Sequence, residues 1–318
     1  MVWDAGQHLE DGKYTIVKTL GVGGFGTTYL AQKYQSYFVV IKTLNERLKF
    51  DPNFEKFQQY FLKEASALAR CSHPHIVQFY EVIKVDDFPC IVMEYVPGEN
   101  LYAIVTKNGA LLETEAVQII TQIGDALSTL HQQGLLHGDV TPHNIILRSN
   151  KLEAVLVDFG ISRKFISNTT DNSVGLSIGY SPPEQYTTNL RQGPYTDVYA
   201  LAATLYFLLT GISPISSLDR IACKLPLTPP NDINKHISYG INFAILKGME
   251  LTVEHRPKSI KSWIKLFNCK PTNTNKFTNT SHKELQRVID KIAILLVIFI
   301  FIGITIRTII SFIVAVMR

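Results

Sequence analysis

His137-Gly138-Asp139-Val140-Thr141-Pro142-His143-Asn144 is the stretch on which the reading of this chain turns. It runs into a short strand-like segment, Ile145–Leu147. Nineteen residues after Asp139 a second such segment, Val155-Leu156-Val157, leads into Asp158-Phe159-Gly160. An aspartate, an asparagine and a second aspartate therefore stand at strand ends. Metal-assisted phosphoryl transfer asks for such a set, because hard oxygen ligands hold Mg²⁺ on the phosphates while one carboxylate orients the attacking hydroxyl.

Upstream lies a second element suited to phosphates. Tyr14–Leu20 alternates apolar and polar side chains as a half-buried strand does. Gly21-Val22-Gly23-Gly24-Phe25-Gly26 follows, and then another strand-like run, Thr27–Ala31. Glycines at these spacings let backbone N–H groups approach a polyphosphate without interference from Cβ. A dinucleotide-binding turn would be followed by a helix, and no G-x-x-x-x-G-K-[ST] occurs here, so neither a Rossmann turn nor a P-loop fits. Val39-Val40-Ile41-Lys42 reads as the next strand, with Lys42 on the face of Val40 and Leu44, a costly place for an unpaired ammonium. Phe57, Phe61, Glu64 and Leu68 are spaced 4, 3 and 4, which sets Glu64 in an apolar helical stripe. A lysine and a glutamate buried in neighbouring elements suggest each other as partners.

The 318 residues suffice for one large domain or two lobes. The net charge of +4 is concentrated at one end. Residues 257–291 carry Lys258, Lys261, Lys265, Lys270, Lys276, Lys283, Arg287 and Lys291 against Glu284 and Asp290, a net +6, whereas residues 1–256 sum to −4. The body is mildly acidic, so no nucleic-acid partner is implied. The four cysteines include no C-x-x-C pair, which suits free thiols in a reducing compartment. The first residues, Met1–Gly6, lack the basic start and apolar core of a signal peptide. From Ile292 to Met317, 21 of 26 residues are apolar. That is long enough to span about 30 Å of hydrocarbon. Arg307 costs about 2.5–3.5 kcal/mol at mid-bilayer, less than the summed gain of the Ile, Leu, Val and Phe around it, and it can snorkel. A single C-terminal transmembrane helix over 292–317 is expected, preceded by a basic polar linker over 269–291 that belongs on the cytoplasmic side. A lone Gly303 makes no G-x-x-x-G pairing face, so the oligomeric state is left open.

Taken in order, these motifs resemble the protein kinase superfamily, and most of all the bacterial eukaryotic-type Ser/Thr kinases. The wording of Gly23–Gly26 and Ser181–Tyr186 is similar to cyanobacterial members. The resemblance covers roughly Tyr14 to Phe267. It implies an α+β, bilobal kinase fold over 14–268: a small antiparallel sheet with one helix over 14–96 and a larger, mainly helical lobe over 97–268. It implies ATP and Mg²⁺ as cofactors and the Ser/Thr hydroxyl of a protein as acceptor. By resemblance, Gly21, Val22, Gly23, Gly24, Phe25 and Gly26 cover the phosphates, and Lys42, paired with Glu64, holds the α and β groups. Asp139 is then the catalytic base, Asn144 and Asp158 are the metal ligands, and Glu94 and Val96 belong to the segment that meets adenine. Glu184 in Ser181-Pro182-Pro183-Glu184 would pair with Arg256, and Asp197 would brace the catalytic loop. Read from the residues alone, Asp197 equally suits a cap for Val198–Leu209, and Arg256 an ordinary surface position.

Two positions depart from the common H-R-D-L-K-P-x-N pattern. Thr141 stands where a lysine usually contacts the transferred group, so it would bring a hydroxyl and no charge. Gly138 stands where an arginine usually binds a phosphorylated residue. Ser177 takes the place of a threonine near the acceptor hydroxyl. These departures keep a nucleotide-binding pseudokinase scaffold in view, and His-Gly-Asp followed by Asn also occurs in aminoglycoside-kinase-like phosphotransferases. The latter lack the glycine-rich lid and the Pro-Pro-Glu/Arg pair. Without an arginine at 138, activity should depend little on phosphorylation between Asp158 and Ser177. Alanine at Ser162, Ser167, Thr169, Thr170 and Ser173 together should leave most of kcat in a steady-state assay; a hundredfold loss would reject this.

Overall fold

The computed structural model describes residues 3–158, 176–187 and 189–271. The chain divides into two units, Met1–Cys269 and Lys270–Arg318. The linker beyond residue 271 and the expected span over 292–317 lie outside the described residues, as do Phe159, Gly160 and the five candidate phosphoacceptors. Among the described residues no helix is long and apolar enough to cross a membrane.

The first part of the larger unit is a six-stranded antiparallel sheet ordered β1-β2-β3-β4-β6-β5. Its strands are β1 (His8–Leu9), β2 (Tyr14–Val22), β3 (Gly26–Lys33), β4 (Tyr37–Leu44), β5 (Phe79–Val85) and β6 (Phe88–Glu94). The register puts Thr28 opposite Lys42 and Ile91 on the other side of it, so the lysine strand is interior to the sheet. Helix α1 (Phe54–Ala69) lays Phe57, Phe61, Glu64, Ala65 and Leu68 toward the core. The i, i+4, i+7 spacing thus carries the glutamate inward with the apolar residues around it.

The sheet begins earlier than the boundary at residue 14 suggested by the sequence. Trp3 is buried, its ring lies 4.8 Å from that of Tyr29, and its backbone N–H donates to the Tyr29 hydroxyl at 3.3 Å. A single aromatic in a polar stretch carries no periodicity, which is why sequence patterning passed over it.

The second part is mainly helical: α2 (Leu101–Asn108), α3 (Glu113–Gln132), α4 (Pro194–Thr210), α5 (Ser217–Ala222), α6 (Pro230–Ile233), α7 (Tyr239–Gly248) and α8 (Ile260–Ile264). A small sheet of β7 (Gly98–Asn100), β8 (Ile145–Arg148) and β9 (Ala154–Leu156) lies against it, in the order β7-β8-β9. The short β8–β9 hairpin brings the ends of the two motif-bearing strands together, with Ile145 opposite Leu156. Helix α4 is buried continuously from Thr196 to Leu209. A helix apolar on every face needs cover on every face. The surrounding helices supply that cover, and α4 becomes the rigid post from which the catalytic loop hangs.

Candidate active site

The glycine-rich turn between β2 and β3 roofs a cleft of about 450 Å³. Gly21, Val22, Gly23, Gly24, Phe25 and Gly26 all line it, together with Lys42 and Asp158. Gly26 has no room for a side chain, since a Cβ there would lie 2.5 Å from the Thr43 carbonyl oxygen. Lys42 Nζ donates to Glu64 Oε1 at 2.7 Å and also to Asp158 Oδ1. Burial disfavours the lysine ammonium, but the charges of Asp158 and Glu64 more than offset this and hold its pKa above the ordinary value. The lysine is therefore a fixed cation at the phosphate end of the cleft. Asp158 sits at φ 59°, a left-handed conformation that aspartate tolerates better than most residues.

Glu94 and Val96 do not border this part of the cleft. The Glu94 N–H donates to the Gln78 carbonyl at 2.9 Å, and its carboxylate accepts from Arg148 Nη2 at 2.6 Å. Val96 is buried, and its backbone N–H and carbonyl make no hydrogen bond among the described residues. Such free backbone groups suit the edge of a purine.

The catalytic-loop segment is held from three sides. Asn144 Nδ2 donates to Asp139 Oδ2 at 2.6 Å and to the Asp139 carbonyl at 2.9 Å. The Ser177 hydroxyl donates to Asp139 Oδ1 at 2.7 Å. Below the loop, Asp197 accepts from the His137 N–H at 3.0 Å, the Gly138 N–H at 2.9 Å and His131 Nε2 at 2.8 Å. Burial alone would raise the Asp197 pKa, but the hydrogen bond and charge of His131 outweigh it, so the carboxylate is held below its usual range. Burial lowers the His137 pKa and the nearby carboxylates only partly compensate, so this imidazole is neutral near pH 7. Its Nδ1 accepts from the Asp139 N–H at 3.3 Å. Helix α4 starts at Pro194 with Gly193 as its cap, so Asp197 is a brace rather than a cap.

Gln185, which sequence reasoning did not single out, closes the loop from above by donating from Nε2 to the Gly138 carbonyl at 2.7 Å. Gly138 itself is at φ 75°, where any residue with a Cβ is strained. Gln185 is in turn fixed by the buried pair beside it. Arg256 Nη1 donates to Glu184 Oε1 at 2.7 Å with both side chains fully buried, and Thr196 Oγ1 donates to the same oxygen at 3.1 Å. A buried pair is tolerated only when its remaining donors and acceptors are met, and Arg256 meets them on the Tyr195 and Glu250 carbonyls. Arg256 is therefore no ordinary surface residue.

Thr141 is buried at 3% exposure, and like Asp139 and Asn144 it is not among the residues that line the cleft beneath the glycine-rich turn. His143, in the short turn Pro142–Asn144, does line the cleft, and its ring stacks on Tyr102 with centroids 4.0 Å apart. No pattern in the sequence marks His143, because the order of side chains around so short a turn is set by tertiary contacts.

Asn144 and Asp158 offer two hard oxygen ligands. Among the described residues no group of three or more His, Cys, Asp or Glu could hold a metal. Two protein oxygens suit Mg²⁺, which keeps several waters and shares phosphate oxygens instead of filling an all-protein cage.

Residues 14–285 match the protein kinase domain family. The chain is 35% identical over 267 residues to serine/threonine-protein kinase B of Synechocystis, covering 78% of this chain and 45% of that protein. It is 33% identical over 291 residues to the Bacillus subtilis serine/threonine-protein kinase PrkC, covering 87% and 44%. Among solved structures, PpkA-294 in its apo form superposes with a TM-score of 0.73 at 27% identity, covering 84% of this chain and 99% of that one. The kinase domain of Mycobacterium tuberculosis PknI superposes with a TM-score of 0.65 at 26% identity, with the same coverage. The chain belongs to the protein kinase family, and these curated relatives are bacterial serine/threonine-protein kinases. It spans less than half the length of either.

The Gln185 contact makes a specific demand. Gln185→Leu keeps the side-chain volume but removes the donor to Gly138, and a small misplacement of a catalytic group is costly. We expect kcat to fall about tenfold with the KM for nucleotide within about twofold of wild type. An unchanged kcat in steady-state assays would remove Gln185 from the positioning network.

Proposed function

We propose that this chain transfers the γ-phosphoryl group of ATP to serine or threonine hydroxyls of protein substrates, in the presence of Mg²⁺ and at a membrane surface. The observation that carries the reading is the 2.7 Å hydrogen bond from the Ser177 hydroxyl to Asp139 Oδ1. The carboxylate already accepts from an alcohol, with Asn144 fixing its other oxygen at 2.6 Å. An acceptor hydroxyl that takes Ser177's place is oriented by the same oxygen and gives its proton to it. As that proton leaves, the acceptor oxygen bonds to the γ phosphorus, and the bond from phosphorus to the β–γ bridging oxygen breaks, releasing ADP. Lys42 is placed to hold the phosphates from the side, and the glycine-rich turn from above. Asn144 and Asp158 would hold Mg²⁺, which would neutralise charge on the phosphates. Glu94 and Val96 carry backbone groups at the position that suits adenine. One feature favours a nucleotide-binding scaffold instead: Thr141 is an uncharged residue and brings no charge to the transferred group.

The membrane part of the proposal rests on hydropathy and charge. Residues 292–317 form the anchor, and the net +6 stretch before them keeps the kinase unit in the cytoplasm.

Labelled ATP with Mg²⁺ and a generic protein acceptor tests the chemistry on the full chain. Asp139→Asn should lose transfer by about 10²–10⁴-fold while still binding ATP, and phosphoamino-acid analysis should return phosphoserine or phosphothreonine. Equal incorporation by both proteins would reject the reading, and binding without transfer by wild type would favour the scaffold. The full chain should also stay with membranes through alkaline carbonate, whereas a chain ending at Lys291 should not. Release of both together would remove the anchor.

A further inference from the structure

Asn45, one residue beyond the end of β4, makes three hydrogen bonds to the glycine-rich segment. Its Nδ2 donates to the Gly23 carbonyl at 2.6 Å, its Oδ1 accepts from the Thr27 hydroxyl at 2.8 Å, and its backbone N–H donates to the Phe25 carbonyl at 2.8 Å. The carboxamide thus joins the two sides of the turn to each other and to the strand that carries Lys42. The turn has few other ties. Gly23 N–H closes on the Gly26 carbonyl at 2.9 Å, and the Phe25 ring leans on Phe57 with centroids 6.3 Å apart. The N–H groups of Gly24 and Phe25 make no hydrogen bond among the described residues.

We propose that Asn45 is a positioning residue for the nucleotide, a latch that holds the glycine-rich turn in the shape that receives phosphates. The inference rests on the proposed reading that this turn covers ATP. Its physical basis is population. Four glycines in six residues leave a turn with many accessible shapes, and a ligand binds in proportion to the fraction in the receptive one. Asn45 raises that fraction without touching the ligand. The β3–β4 register sets Gly26 opposite Leu44 and Thr27 opposite Thr43, so the residue after Leu44 falls directly beneath the turn. That register fixes the distance between the Gly24 and Phe25 N–H groups and Lys42, and the latch keeps the turn from swinging away from it.

The consequence is selective for phosphate. Adenosine does not use the turn, whereas ATP does. In equilibrium binding titrations on the full chain with Mg²⁺, Asn45→Ala should weaken ATP about five- to tenfold and leave adenosine within about twofold. Thr27→Val leaves the carboxamide in place but takes away its acceptor contact, and should weaken ATP about two- to threefold. Both variants should unfold at the wild-type temperature. ATP affinity within about twofold of wild type in both variants would overturn the latch. So would a parallel loss of adenosine, which would make Asn45 a general support of the sheet. Should Asn45→Ala fail to fold, Thr27→Val decides alone by the same ATP-against-adenosine comparison. Failure of the wild-type chain itself to bind ATP would remove the functional reading, and the latch with it.

Discussion

Asp197 carries a carboxylate at complete burial, and three N–H groups converge on it. Two of them are consecutive amides of the catalytic loop, and the third belongs to a histidine of α3. A charge removed from water must be met by directed donors, and here the donors are the parts that need to be held. The backbone at His137 and Gly138 is thereby fixed relative to α4, which is buried from Thr196 to Leu209. Gly138 contributes by accepting a left-handed conformation without strain, so both of its amide-plane groups face partners: Asp197 on one side and Gln185 on the other. From that fixed point the chain turns through Asp139 to Asn144, and the two side chains meet.

The other half of the site depends on Lys42. Its two carboxylate partners come from different parts of the fold, Glu64 from α1 and Asp158 from the end of the β8–β9 hairpin. The lysine therefore links the sheet, its helix and the strand end that carries the candidate metal ligand. Because both partners stabilise the ammonium, the lysine keeps its charge despite burial. The cleft therefore has a buried cation beneath the glycine-rich turn, an arrangement suited to a polyphosphate.

The acceptor side is organised by the segment from Ser177 to Gln185. Ser177 reaches Asp139, Gln185 reaches Gly138, and Glu184 between them is tied to Arg256. A single buried ion pair thus holds the surface where a substrate hydroxyl would arrive in step with the loop that would deprotonate it. Arg256 lies 72 residues from Glu184 in sequence, so the catalytic loop's surroundings depend on a residue close to the end of the folded unit. Charged side chains make up only 18% of the chain, below the roughly 25% of an average soluble domain, and this part of the fold is a partial cause. Helix α4 is buried through fourteen consecutive residues and has room for only one charge, that of Asp197.

Several parts of this protein were legible in the order of its residues. Periodicity marked the strands, the stripe of α1 and the inward glutamate, because burial repeats at 2 or 3.6 residues whatever the fold. Chemistry marked Lys42 as a cation on an apolar strand face that needs a partner, and Asp139, Asn144 and Asp158 as oxygen groups brought together near strand ends. The hydropathy and charge of residues 257–317 likewise belong to the sequence alone. Tertiary structure decided the rest. It drew Trp3 into the sheet, brought His143 to the cleft, and set Asn45 and Gln185 against backbone carbonyls. None of these leaves a mark in sequence, because a hydrogen bond from a side chain to a distant carbonyl depends on where the chain passes in space. Residue identity determined which groups could do the chemistry, and packing determined which of them were brought to it.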